Sequence, residues 1–338
     1  MAKEADQPRD WTPASIREVA TGFQASRVLL TAIELRIFSV LPSEGLTSAE
    51  VASRIGSEAR ATDRLLNALC AIGLLWKRQA RFRNTSASAR FLDESSPEFV
   101  AGLGHTAGLW RTWSGLTESV RQGTPAPRPA INDRGDSWVK PFIAAMHYRA
   151  QQQAPVVAGL ISLGGVARVL DVGGGSGAFA MAFVRRQPHV TAVVFDLPAV
   201  APLAQRHINE AGLSDRITVQ VGDYLQDPLP GGFDLVFLSA VVHSNGLAEN
   251  EALLRSCAGA LNPGGRAAVV DWVMDDDRVN PAQGAFFAIN MLVGTERGDT
   301  FTEPEIRGWM TAAGLAPGPR IATGFGPEIL IGIKPPTG

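Results

Sequence analysis

The chain has 338 residues, 45% of them hydrophobic and 19% charged, with a net charge of −2 and an isoelectric point of about 6.2. That composition supplies a sizeable core, and the length suggests two domains. The weak net charge excludes a global basic field of the kind that grips nucleic acid or anionic lipid. Cys70 and Cys257 are far apart in sequence. They suit neither a disulfide framework nor a zinc cluster, and point to a reducing compartment. The polar start, Met1 to Asp10, lacks the apolar segment of a signal peptide. No run approaches the roughly 18 apolar residues of a membrane span. A soluble cytoplasmic protein is expected.

Residues 12 to 120 read mainly as helix. Ile16, Val19, Phe23, Val28, Leu30, Ile33 and Ile37 recur at helical spacing, which predicts one helix from Ala14 to Leu41, ending near Pro42. Thr47 and Glu50 form a capping-box pattern before Val51 and Ile55, and Gly56 then breaks the chain. A second helix follows through Leu65, Leu66, Leu69 and Ile72, and two short strands, Leu74–Trp76 and Arg81–Arg83, suggest a hairpin. Helix, turn, helix and hairpin outline a winged helix. Arg60, Arg64, Lys77, Arg78, Arg81, Arg83 and Arg90 outnumber Glu58 and Asp63 there, which raises the reading of a ligand-sensing DNA-binding regulator. The slightly acidic whole and the enzymatic look of the remainder favour packing or dimerisation instead, and nucleic acid is not the expected partner.

A Pro/Gly-rich loop from Gln122 to Gly135 comes next, then helical pattern from Trp138 to Leu163. Beyond Gly164-Gly165 the character changes. Short apolar runs at Val169-Leu170, Val193–Phe195, Ile217–Val221, Leu235–Leu238 and Ala267–Asp271 alternate with helical stretches. Nearly all-apolar strands between helices imply a parallel sheet covered on both faces. The fold class is therefore α/β: a Rossmann-like, doubly wound sheet behind a mostly helical N-terminal domain. The expected division is residues 1–120, a connecting segment 121–163, and a cofactor domain 164–338.

The first of these strands runs into a glycine loop, Asp171 to Gly177, with a helix starting near Ala178. Gly173, Gly175 and Ala178 match a dinucleotide-type loop, which lets backbone amides approach a ligand. No Lys-Ser or Lys-Thr pair follows, so a phosphate-binding P-loop is excluded. Ala178 likewise excludes a nucleophile elbow. Three acids narrow the ligand. Asp171 precedes the glycines and can accept from the amino end of a methionine moiety. Asp196 closes the second strand, where a carboxylate reaches ribose hydroxyls. Asp223, after the third strand, can take an adenine amino group, with Tyr224 against the ring. Gly-Asp at that point is not required by a nicotinamide enzyme, so S-adenosylmethionine is the favoured cofactor.

Several stretches carry a family resemblance: Leu109–Glu118, Phe142–Met146, Leu170–Gly177, Phe195–Pro198, Gly222–Tyr224 and Leu261–Gly265. Over nearly its whole length the chain resembles the class I O-methyltransferases of the caffeate, acetylserotonin and hydroxyneurosporene type, which carry an N-terminal winged-helix dimerisation domain. The resemblance implies a homodimer, S-adenosyl-L-methionine converted to S-adenosyl-L-homocysteine, and no metal. It implies a cofactor site at Asp171, Gly173, Gly174, Gly175, Asp196, Leu197, Gly222, Asp223, Tyr224 and Ser239. His243 falls on the family's general base and Asp271 on its first acidic partner. The second partner is Glu296, or Thr300 under the alternative alignment. The acceptor, a small molecule held between the domains, would meet Met146, Phe287, Asn290 and Met291, with Trp110, His147 and Arg149 further candidates. His147 and Arg149 could face a carboxylate on it. One departure is plain: the family's His-Asp-Trp is His243-Ser244-Asn245 here. O-methylation is the leading reading, with N- or S-methylation and a cofactor-assisted, non-methylating reaction as alternatives.

Overall fold

The computed structural model describes residues 10–125 and 135–336. The polar residues 1–9 and most of the Pro/Gly-rich loop lie outside the described residues. The chain divides into two compact units, Met1–Ala107 and Gly108–Gly338.

The first unit holds helices α1 (Pro13–Thr21), α2 (Phe23–Glu34), α3 (Ile37–Val40), α4 (Ser48–Ile55) and α5 (Ala59–Ala71). Strands β1 (Leu75–Arg78) and β2 (Arg81–Asn84) and helix α6 (Ser86–Phe91) follow. The single helix expected over Ala14–Leu41 is broken twice. Gly22 caps α1, and Arg36 takes a left-handed conformation (φ 54°) that no helix interior tolerates. The capping box before α4 is closed: Glu50 N–H donates to the Thr47 hydroxyl at 3.3 Å, and Thr47 N–H to the Glu50 carboxylate at 2.7 Å. Phe38, Leu66, Leu69 and Phe82 are fully buried in one cluster. Each such side chain contributes roughly 1.5–3 kcal/mol on leaving water. The hairpin pairs Trp76 with Arg83 and Lys77 with Phe82. Several cations of the hairpin and of α6 have partners within the unit. Arg81 donates to Gly45 O and Arg83 to Glu44 O, while Lys77 reaches Asn67 and Arg90 pairs with Glu98. That engagement weakens the reading of these residues as a phosphate-binding surface.

The second unit opens with α7 (Gly102–Trp113, begun in the first), α8 (Leu116–Gln122) and α9 (Asp136–Leu160). α9 stops three residues short of the expected Leu163. The α/β part then runs β3 (Arg168–Val172), α10 (Ala178–Arg186), β4 (Thr191–Asp196), α11 (Ala201–Glu210), β5 (Ile217–Val221), β6 (Phe233–Ser239), α12 (Leu247–Ala260) and β7 (Leu261–Asp271). After it come β8 (Val273–Met274), α13 (Ala282–Gly294), β9 (Phe301–Thr302), α14 (Glu303–Ala312), β10 (Ala316–Ala322) and β11 (Glu328–Ile333). The seven-stranded sheet has the order β10-β11-β7-β6-β3-β4-β5. β3 to β7 are parallel, and β11 and β10 add antiparallel.

Alternate residues of the central strands feed two cores. Val169, Leu235 and Phe237 face one side, packed with Phe179 and Phe183 of α10. Leu170, Val172, Val236 and Leu238 face the other, with Leu253 and Leu254 of α12 and Trp309 of α14. This two-sided burial is why the strands read as continuous apolar runs. The chain winds outward from β3 through β4 to β5, then returns to place β6 on the other flank of β3. The loops after β3 and β6 thus leave the sheet at its switch point, where open α/β sheets bind ligands. Among the described residues no helix is long and apolar enough to cross a membrane.

Candidate active site

The loop after β3 is drawn tightly over the sheet. Gly173 has φ +64°, donates its N–H to Phe195 O at 2.8 Å, and a Cβ on it would come within 2.9 Å of Val241 Cγ2. A Cβ on Gly222, after β5, would lie 2.2 Å from the Phe195 ring. Side chains are sterically barred from both places, which keeps backbone bare where a cofactor would lie. By contrast, a Cβ on Gly175 (φ +60°) would meet nothing within 4 Å, so the crest of the loop is open. The residues fit an adenosylated methyl donor.

Both oxygens of Asp196 accept amides, from Gly175 and Leu197, each at 2.7 Å. Burial still pushes its carboxyl up to about 6, against those two bonds. Asp171 lies underneath the loop. It is 1% exposed and accepts from the Ala180 N–H at 3.1 Å, in the first turn of α10. Burial, aided by the charge of Asp196, pushes it up to about 7. The strand's alternation turns this side chain towards α10, where one of its oxygens caps the start of that helix. Asp223 accepts from the Leu225 N–H at 2.9 Å. The Tyr224 ring sits beside Gly173, its hydroxyl donates to Asn245 Oδ1 at 3.3 Å, and burial pushes its phenol up to about 12.

The loop after β6 carries His243. β6 ends at Ser239, Ala240 takes φ +58°, and Val242–Ser244 forms one 3₁₀ turn. His243 Nδ1 is 2.8 and 2.9 Å from the two oxygens of Asp271, at the end of β7. Asp271 also accepts the His243 backbone N–H at 3.3 Å and the Trp272 N–H at 2.8 Å. A buried carboxylate with three donors is fully engaged, and it places the proton on Nδ1, leaving the Nε2 lone pair outward. The edge of the Phe287 ring meets the imidazole at 4.8 Å between centroids, with planes at 86°. The His243 carbonyl accepts from Asp299 N–H at 3.0 Å.

Other expected residues separate. Phe287, Asn290 and Met291 share α13, and Asn290 Oδ1 accepts from Trp113 Nε1 at 3.0 Å. Trp110 and Met146 are half-buried, and Arg149 lies within electrostatic range of Asp271. His147, by contrast, turns from the imidazole. Its Nδ1 is 2.7 Å from Ser176 Oγ, and its ring stacks on His207 at 3.9 Å. It lines a cleft of about 610 Å³ formed by α9, α10 and α11. Burial, with the neighbouring His207, pulls its imidazole down to about 4. Glu296 is exposed on the loop after α13 and is not a hydrogen-bond partner of His243, because that loop turns outward. Thr300 is buried with its backbone bonded to Asp299 and Arg278. Sequence reasoning missed Asn250, whose signal was an amide side chain on the apolar side of α12.

Residues 17–94 match the O-methyltransferase dimerisation domain, and residues 130–316 match the O-methyltransferase domain. The chain belongs to the O-methyltransferase family. Relatives of this O-methyltransferase include two polyketide- and naphthoate-directed enzymes of streptomycetes. The 3-hydroxy-5-methyl-1-naphthoate 3-O-methyltransferase of Streptomyces sahachiroi is 34% identical, over 91% of each chain. The tetracenomycin polyketide synthesis 8-O-methyl transferase TcmO of Streptomyces glaucescens is 32% identical, over 96% of this chain and 97% of the other. Among solved structures, human N-acetylserotonin methyltransferase in complex with SAM superposes with a TM-score of 0.83 at 26% identity, over 97% of this chain and 100% of that one. The fold of this O-methyltransferase therefore follows its family.

Proposed function

We propose that this O-methyltransferase transfers the methyl group of S-adenosylmethionine to a hydroxyl of a small aromatic, polyketide-like metabolite, with His243 as general base. The observation that carries the reading is the pairing of half-buried His243 with buried Asp271, in a turn that packs through Val241 onto the glycine loop. The bound cofactor supplies an electrophilic methyl on a sulfonium. The protein's part is to hold the acceptor in line with it and take one proton. His243 Nε2 receives that proton, and Asp271 holds Nδ1–H and stabilises the imidazolium.

The cofactor would lie along Gly173, Gly174 and Gly175, with Asp196 and Leu197 beyond the ribose and Gly222, Asp223 and Tyr224 about the adenine. Ser239 closes the floor. Asp171 acts from below, by fixing the start of α10. Phe287, Asn290 and Met291 form the acceptor wall, joined by Met146 and Trp110, and Arg149 is the cation suited to an acidic acceptor. The aromatic acceptor class rests on the two streptomycete relatives. The N-terminal helices and hairpin would act as a winged helix pairing two copies, with 121–163 leading into the cofactor domain. The exposed Ile16 and Val19 on α1 suit that contact.

Incubation with hydroxynaphthoates and S-adenosylmethionine tests the reading. One equivalent of S-adenosylhomocysteine per methylated phenol is the expected result, falling about 100-fold or more in His243→Gln. Full activity in that variant overturns the base, and turnover without S-adenosylhomocysteine overturns methyl transfer.

A further inference from the structure

Asn245 stands where the resembled family carries tryptophan, yet it is 2% exposed and bonded at both ends of its amide. Oδ1 accepts from the Tyr224 hydroxyl at 3.3 Å. Nδ2 donates to Asn250 Oδ1 at 3.1 Å. Asn250, fully buried, donates from Nδ2 to the Val242 carbonyl at 2.9 Å. Three consecutive hydrogen bonds therefore run from the ring beside Gly173 to the peptide carbonyl immediately before His243.

Buried amides are costly unless satisfied, and a satisfied chain of them fixes the geometry of what it joins. At the near end is Tyr224, whose ring lies 3.7 Å from the position of a Gly173 Cβ. Its hydroxyl keeps acceptor capacity after donating to Asn245. At the far end the turn has two other holds. Asp271 takes the His243 ring and amide, and the Asp299 N–H takes the His243 carbonyl. The Val242 carbonyl is taken by the Asn245 backbone N–H at 3.3 Å and by the Asn250 amide, and the Asn250 amide leads through the Asn245 side chain back to the cofactor side.

We propose that Asn245 is a positioning residue that links the adenosyl pocket to the base: the Tyr224–Asn245–Asn250 relay seats Tyr224 against the cofactor and sets the turn that aims His243. The proposal rests on the cofactor site and the base assigned above. A movement of Tyr224 on cofactor binding is carried through two amides to Val242, so cofactor occupancy and imidazole orientation are coupled. An aromatic side chain at 245 could stack but could not transmit in this way.

The test needs no acceptor. Binding of S-adenosylhomocysteine is measured by calorimetry, and the imidazole of His243 by ¹⁵N NMR, with His243→Gln assigning its signal among the five histidines. In the native enzyme the product shifts the His243 signal. Tyr224→Phe, which removes only the hydroxyl, and Asn245→Leu each weaken binding about fivefold, as one hydrogen bond is worth. Both variants lose at least half of the His243 shift, and the double variant is no weaker than Asn245→Leu alone. Asn245→Ser takes the place of Asn245→Leu if the latter does not fold. Unchanged affinity, or an undiminished shift of His243, overturns the proposal. If His243→Gln keeps its turnover while the relay behaves as stated, the base assignment fails and the relay stands.

Discussion

Asp271 grips His243 twice: both carboxylate oxygens lie within 2.9 Å of Nδ1, and one of them also lies 3.3 Å from the backbone nitrogen of the same residue. Ring and backbone are thus oriented by one buried group. Asp271→Asn keeps the volume but offers an amide where Nδ1–H must donate. A loss of about 10²-fold or more in turnover is expected, with affinity for S-adenosylhomocysteine within twofold of native. Steady-state kinetics with calorimetry checks this, and an equal loss in both would point to collapse of the turn.

Gly173→Ala meets two obstacles, a left-handed φ of +64° and Val241 Cγ2 at 2.9 Å. The first costs about 1–2 kcal/mol. We expect a melting temperature lower by several degrees and product affinity weaker by about tenfold. Val241→Ala removes the clash but not the strain, so the double variant should regain part of the affinity. Failure to regain any would mean that Val241 is not the obstacle.

Asp171 and Asp196 give the stability a defined pH response. Their carboxyls stand at about 7 and about 6 in the folded protein, against 3.8 for the ordinary group. Between those values the folded state binds more protons than the unfolded one, so this contribution is full below about pH 4 and is lost as pH rises towards 7. Asp171→Asn removes one of the two groups. Its melting temperature should gain on the native enzyme as the pH goes from 5 to 8. A constant difference across that range would show that Asp171 is ionised throughout.

Ile16 and Val19 expose 55% and 62% of their surfaces on α1, a helix with no buried residue. If α1 lies in the contact between two copies, Ile16→Asp with Val19→Asp should shift the mass in sedimentation from dimer towards monomer. The melting of the second unit should not change. An intact dimer would place the contact elsewhere in residues 17–94.

The central parallel strands β3, β6 and β7 were legible because both of their faces are largely buried, which leaves little polar alternation to confuse them, whereas the edge strand β5 was legible from Ile217, Val219 and Val221 alone. Asp271 was legible because it closes one of these central strands, whereas His243 lies four residues beyond the end of β6, in a 3₁₀ turn, and was picked out by the resemblance. β10 was not, because Ala316–Ala322 contains Pro317, Gly318 and Pro319 and reads as loop. An edge strand tolerates prolines that a central one cannot. The break at Arg36 was hidden because the apolar spacing runs on through it, and only the left-handed backbone ends the helix. The contacts of His147 with Ser176 and His207 were not legible, because it adjoins Met146 in sequence and successive helical residues point about 100° apart. Position in a motif cannot choose between those faces. The Asn245 relay was out of reach because its three links lie on two loops and a helix.

Ser239 and Val270 are partners across the β6–β7 ladder. The segments bearing His243 and Asp271 therefore depart from neighbouring strands, whose separation of about 4.8 Å is set by peptide hydrogen bonds. His243 and Asp271 inherit their spacing from this hydrogen-bonded ladder. Phe287, Asn290 and Met291 sit on a helix outside that ladder. Substitutions on α13 can therefore change what surrounds the His243 ring without disturbing the register that holds His243 against Asp271.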